Sequence, residues 1–174
     1  MIDFTKSKQY TLSIRLSTDG FSFSIYNPIH DDSLSIIEKE INASSSLTAN
    51  LKTLFHESDF LNHPYKRVNI MMAGKRFTIA PLELFEEEQA ELLFYHNHQK
   101  KENETVLYNI LRKNNVAVIF GIDKSAQTFL NEQYPEARFY SQSTPFIDYF
   151  SVKSRLGNSK KMYASIRKDG IDIY

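Results

Sequence analysis

The stretch Tyr10-Thr11-Leu12-Ser13-Ile14-Arg15-Leu16-Ser17-Thr18-Asp19-Gly20-Phe21-Ser22-Phe23-Ser24-Ile25-Tyr26 alternates apolar and polar residues on both sides of an Asp-Gly pair. Tyr10, Leu12, Ile14 and Leu16 face one way and Thr11, Ser13 and Arg15 the other, the pattern of a half-buried strand. Phe21, Phe23 and Ile25 repeat it beyond Ser17-Thr18-Asp19-Gly20. Two alternating runs around an Asp-Gly turn read as a β-hairpin. Asn27-Pro28 breaks the second strand. Leu34, Ile36 and Ile41 mark a third strand over 32–41.

Working outward from this hairpin, Ser44-Ser45-Ser46 offers several N-caps. Leu47, Leu51, Leu54 and Phe55 then fall at helical spacing, which predicts a helix over 46–61, stopped by His63-Pro64. Residues 68–73 and 77–81 read as short strands on either side of Gly74. Leu84, Phe85, Leu92 and Tyr95 predict a helix over 82–96, with Glu86, Glu87 and Glu88 in its first turn, where the helix dipole favours acids. Residues 106–111 and 116–122 read as strands joined by Arg112-Lys113-Asn114-Asn115, whose Asn pair suits left-handed backbone. Asp123 caps a further helix that Pro135 ends. Residues 137–140 form a short strand, and Thr144-Pro145 opens the last helix.

The end of the chain echoes its beginning. Ser165-Ile166-Arg167-Lys168-Asp169-Gly170-Ile171-Asp172-Ile173-Tyr174 repeats the order Ser-Ile-Arg, a turn with Asp-Gly, and an alternating strand closing on Ile-Tyr. We read this as an internal duplication. The domain organisation expected from it is a first lobe over 1–157, then a linker and the opening hairpin of an apparently incomplete second lobe over 158–174. A two-stranded hairpin alone is marginal in water, so the chain reads as the first lobe of a longer protein.

Counting excludes several chemistries. The 174 residues are 41% hydrophobic and 24% charged, the balance of a globular chain of one domain or a little more. Lys+Arg and Asp+Glu are both 21, and a net charge of zero argues against a dedicated nucleic-acid binder. There is no cysteine, which removes disulfides, thiolate metal sites and cysteine nucleophiles. The five glycines are too far apart for a dinucleotide-binding fingerprint, a P-loop or a G-x-S-x-G nucleophile elbow. No apolar run approaches the ~20 residues of a membrane span, and the N-terminus lacks a signal-peptide pattern. A cytoplasmic protein is expected.

The order of elements, three strands in hairpin order and then alternating helices and strands, resembles a ribonuclease-H-like lobe. The fold class expected is therefore α/β with a mixed sheet. Two such lobes in tandem, each opening with a hairpin, are the plan of the actin-like ATPase superfamily. Val68-Asn69-Ile70-Met71-Met72-Ala73-Gly74 and Phe77-Thr78-Ile79-Ala80-Pro81-Leu82-Glu83-Leu84 are similar to a passage of the actin-like assembly proteins of type IV pili and type II secretion. More closely, the chain resembles a family of uncharacterised bacterial proteins with an actin-like ATPase fold.

That resemblance implies ATP and Mg²⁺ as ligands, and candidate nucleotide-binding residues at the two hairpin turns: Thr18, Asp19 and Gly20 in the first, Lys168, Asp169 and Gly170 in the second. The sequence departs from the family where chemistry would require agreement. Actin-like ATPases end the first strand of each lobe with an acid, usually as Asp-x-Gly, which orders metal and water. Here the strands read Ser13-Ile14-Arg15-Leu16 and Ser165-Ile166-Arg167. An Asp-Gly at a hairpin turn needs no function to explain it. We therefore assign no catalytic residue, no metal ligand and no required cofactor. His96 and His98 stand two apart rather than the four a helical zinc pair needs. The basic pairs Lys66-Arg67, Lys75-Arg76, Lys100-Lys101, Arg112-Lys113 and Lys160-Lys161 read as solvated charges.

The function expected is a catalytically inactive scaffold that binds a protein partner or its own kind. One alternative is a weak or degenerate ATP-binding protein. The other is an RNA-associated accessory protein using the basic pairs.

Overall fold

The opening hairpin forms as its alternation requires. In the computed structural model, which describes residues 2–28, 33–154, 161–167 and 170–174, β1 (Thr11–Ser17) pairs antiparallel with β2 (Gly20–Asn27), from Thr11↔Tyr26 to Ser17↔Gly20. β2 in turn pairs antiparallel with β3 (Ser33–Lys39). The third strand is thus slightly shorter than the predicted 32–41, and position 32 lies outside the described residues.

The chain divides into two compact units. The first holds Met1–Ala73, Glu102–Thr105 and Ile122–Phe139. After β3, Ser46 accepts the backbone N–H of Ala49 and caps α1 (Leu47–Glu57). The helix stops short of the predicted residue 61, because Ser58 turns extended and Asp59–Asn62 tighten into a 3-10 turn. α1 carries the chain over to β4 (Arg67–Met72), which lies parallel to β1 from Thr11↔Arg67 to Leu16↔Met72. A parallel pair needs such a crossover. Later in the chain come α3 (Lys124–Gln133) and β8 (Arg138–Ser141), and the sheet runs in the order β3-β2-β1-β4-β8.

One face of this sheet is the core. Leu12, Ile14 and Leu16 of β1, Phe21, Phe23 and Ile25 of β2, and Val68 and Ile70 of β4 are buried against Leu51, Leu54 and Phe55 of α1 and Ala126 and Leu130 of α3. Every second residue of β1 and β2 is apolar, so one strand register buries the whole set, and a slip of one residue would expose it.

The second unit holds Gly74–Lys101, Val106–Gly121 and Tyr140–Tyr174. Its three-stranded sheet has the order β5-β7-β6, from β5 (Phe77–Pro81), β6 (Glu104–Leu111) and β7 (Val116–Asp123), with β5 and β7 antiparallel. These strands do not join the five-stranded sheet. A small core of Ala80, Ala90, Phe94 and Ile119 lies under them. The turn before β7 places Asn115 at φ 55, the left-handed conformation that its Asn pair suggested.

The helix predicted over 82–96 is a correction. Leu82–Leu84 and Glu87–Gln89 are separate 3-10 turns, Phe85 and Glu86 are extended, and α2 runs only over Ala90–Asn97. The stripe is not buried as one face: Phe85 packs on the small core and the Tyr108 ring, while Leu84 and Leu92 are 72 and 70% exposed. Helices this short owe their stability to packing rather than propensity. Glu91, not the run Glu86-Glu87-Glu88, is the acid in the first turn of α2.

The last helix, α4 (Ser143–Ser154), begins one residue before the predicted Thr144. Beside it β9 (Ala164–Arg167) and β10 (Gly170–Ile173) pair antiparallel. Tyr163 stacks on Phe150 at 4.3 Å, and Tyr174 approaches Phe146 and Phe150 at 5.5 and 5.4 Å. This hairpin is therefore held on α4 by an aromatic face.

Candidate functional site

The candidate residues of the first turn are Thr18, Asp19 and Gly20, and local structure brings them together at the tip of the β1–β2 hairpin. Gly20 has φ +145, and a Cβ there would lie 3.1 Å from the Lys39 carbonyl oxygen. Both facts call for glycine. Ser17 Oγ accepts the Asp19 N–H at 3.5 Å. The Asp19 carboxylate stands 3.7 Å from the Arg15 guanidinium, with both side chains partly exposed. Arg15 lies on the polar face of β1 with Thr11 and Ser13, where the actin-like pattern would have its acid.

Of the second set, Lys168 and Asp169 lie outside the described residues, and Gly170 opens β10 opposite Arg167. The two sets belong to different units of the chain.

Sequence reasoning missed a polar cluster in the first unit. Asp123 was expected to cap a helix, and its Oδ1 does accept the Ala126 N–H at 2.8 Å. The fold also brings Thr48, whose hydroxyl donates to Asp123 Oδ1 at 3.4 Å, and Asn103, whose amide donates to Oδ2 at 2.7 Å. Asn103 and Ser125 share a further hydrogen bond. These residues are distant in sequence, and no spacing could have announced them. From here an open groove of about 330 Å³ runs between α1 and α3, lined among others by Lys52, Lys124, Thr128 and Phe129. The Lys52 ammonium lies 6.0 Å above the Phe129 ring. The groove carries both signs of charge, since Glu132 lines it with the two lysines, and the Asp123 carboxylate at its head is engaged by three donors.

The other motifs resolve into packing. His98 bonds the Phe77 carbonyl at 3.1 Å and lies against the Phe94 ring at 4.5 Å. Arg76 donates to the Gln99 carbonyl at 2.8 Å and lies over Phe94. Among the described residues no group of three or more His, Cys, Asp and Glu is placed to hold a metal ion. No described helix is long and apolar enough to cross a membrane.

Two surfaces depart from ordinary polarity. On the hairpin of β9 and β10, Ile166 faces Ile171 across the strands, and these two with Ile173 are 78, 62 and 65% exposed. On β3, Leu34 and Ile36 are 56 and 64% exposed.

A mixed sheet of three antiparallel strands, continued in parallel through a helical crossover, makes this an α/β chain, and its similarity to a solved structure makes the fold the actin-like ATPase fold. It is similar to the crystal structure of a Bacteroides thetaiotaomicron VPI-5482 protein with an actin-like ATPase fold and unknown function, at 80% identity and a TM-score of 0.95, covering 100% of this chain and 68% of that one. The chain belongs to the family described as Protein of unknown function (DUF3822), whose family model matches residues 1–174. Comparison with the curated proteins gives no match.

Proposed function

We propose that the chain is a catalytically silent actin-like scaffold, a protein-interaction module that does not turn over nucleotide. The observation that carries this reading is the Arg15–Asp19 ion pair at the first hairpin turn. The acid nearest the expected phosphate position is neutralised by its own strand, and the end of β1 presents a cation where an ATPase needs a carboxylate to order metal and water. Uncovered aliphatic side chains support an interaction role, since contiguous exposed apolar surface marks contact sites.

The test is a thermal-shift titration with ATP and Mg²⁺, paired with a phosphate-release assay. A ligand that binds only the native state must raise its melting temperature. The scaffold reading expects no dose-dependent rise at millimolar ATP and no phosphate release. A clear rise, or metal-dependent turnover lost in Asp19→Ala, would replace it with a degenerate nucleotide-binding protein.

A further inference from the structure

We draw no further inference here: the strongest candidate, the aliphatic face of the β9–β10 hairpin where Ile166, Ile171 and Ile173 are exposed, carries nothing, because nothing in the structure shows what covers it.

Discussion

The hydroxyl of Tyr134 donates to the backbone carbonyl of Leu61 at 2.5 Å, joining the end of α3 to the 3-10 turn after α1 across 73 residues of chain. Tyr134 is 9% exposed and its ring lies 5.7 Å from Phe55. The bond satisfies a buried carbonyl that no secondary structure would reach. Tyr134→Phe keeps the packing and orphans that carbonyl, which costs about 1–3 kcal/mol. Urea unfolding should show the midpoint falling with little change in slope.

The same region makes stability depend on alkaline pH. Burial, with a further contribution from the charge of Asp59, pushes the Tyr65 hydroxyl from its ordinary value near 10 up to about 12. Burial, with Tyr65 adding, raises Tyr134 as well. In each case the folded state holds the proton more tightly than the unfolded chain. Their contribution is complete below about pH 10 and is lost as pH rises towards 12. Denaturation at a series of pH values should show this fall, and Tyr65→Phe with Tyr134→Phe should flatten it. An equal fall in the double variant would assign it to other groups.

Asp123 caps α3. Its carboxylate takes the Ala126 N–H, the Thr48 hydroxyl and the Asn103 amide. Asp123→Ala should cost about 1–2 kcal/mol, the range of a lost N-cap. Asp123→Asn keeps the oxygen that caps Ala126 and loses the acceptor of the Asn103 amide, so it should cost less than Asp123→Ala. Equal losses in both variants, by calorimetry, would show that the Asn103 contact and the charge outweigh the cap.

At the first turn, glycine and acid should differ in consequence. Gly20→Ala forces a Cβ into positive φ and to 3.1 Å from the Lys39 carbonyl, at a cost of about 1–3 kcal/mol. Asp19→Ala removes a partly exposed ion pair, for which about 0.2–1 kcal/mol is typical. Melting curves of the two variants should separate clearly.

Much of this was legible in the sequence, because much of it is local. The β1–β2 hairpin follows from strict alternation around Asp19-Gly20. The caps at Ser46 and Asp123 follow from side chains that reach a backbone N–H three residues on. Left-handed Asn115 follows from an Asn pair between two apolar strands. The resemblance to actin-like proteins rests on the order of these elements. The charge balance and the lack of cysteine needed no structure at all.

Tertiary structure decided what sequence separation hides. Period-two alternation shows that a segment is a strand, and says nothing of which strand it joins. So the parallel pairing of β1 with β4, and the separation of β5, β6 and β7 into a second sheet, came only with the fold. The helix over 82–96 failed for the same reason: its stripe was present, but the fold packs Phe85 on the small core and leaves Leu84 and Leu92 exposed, so no single helical face is covered. Thr48 and Asn103 reach Asp123 because distant elements pack together, and no motif spacing encodes that. Burial is likewise a property of the assembled chain. Ile14 and Ile36 are alike as sequence. One is closed in the core and the other lies open, because pairing put Ile14, Phe23 and Ile37 on the packed face of the sheet and Ile36 on the opposite face.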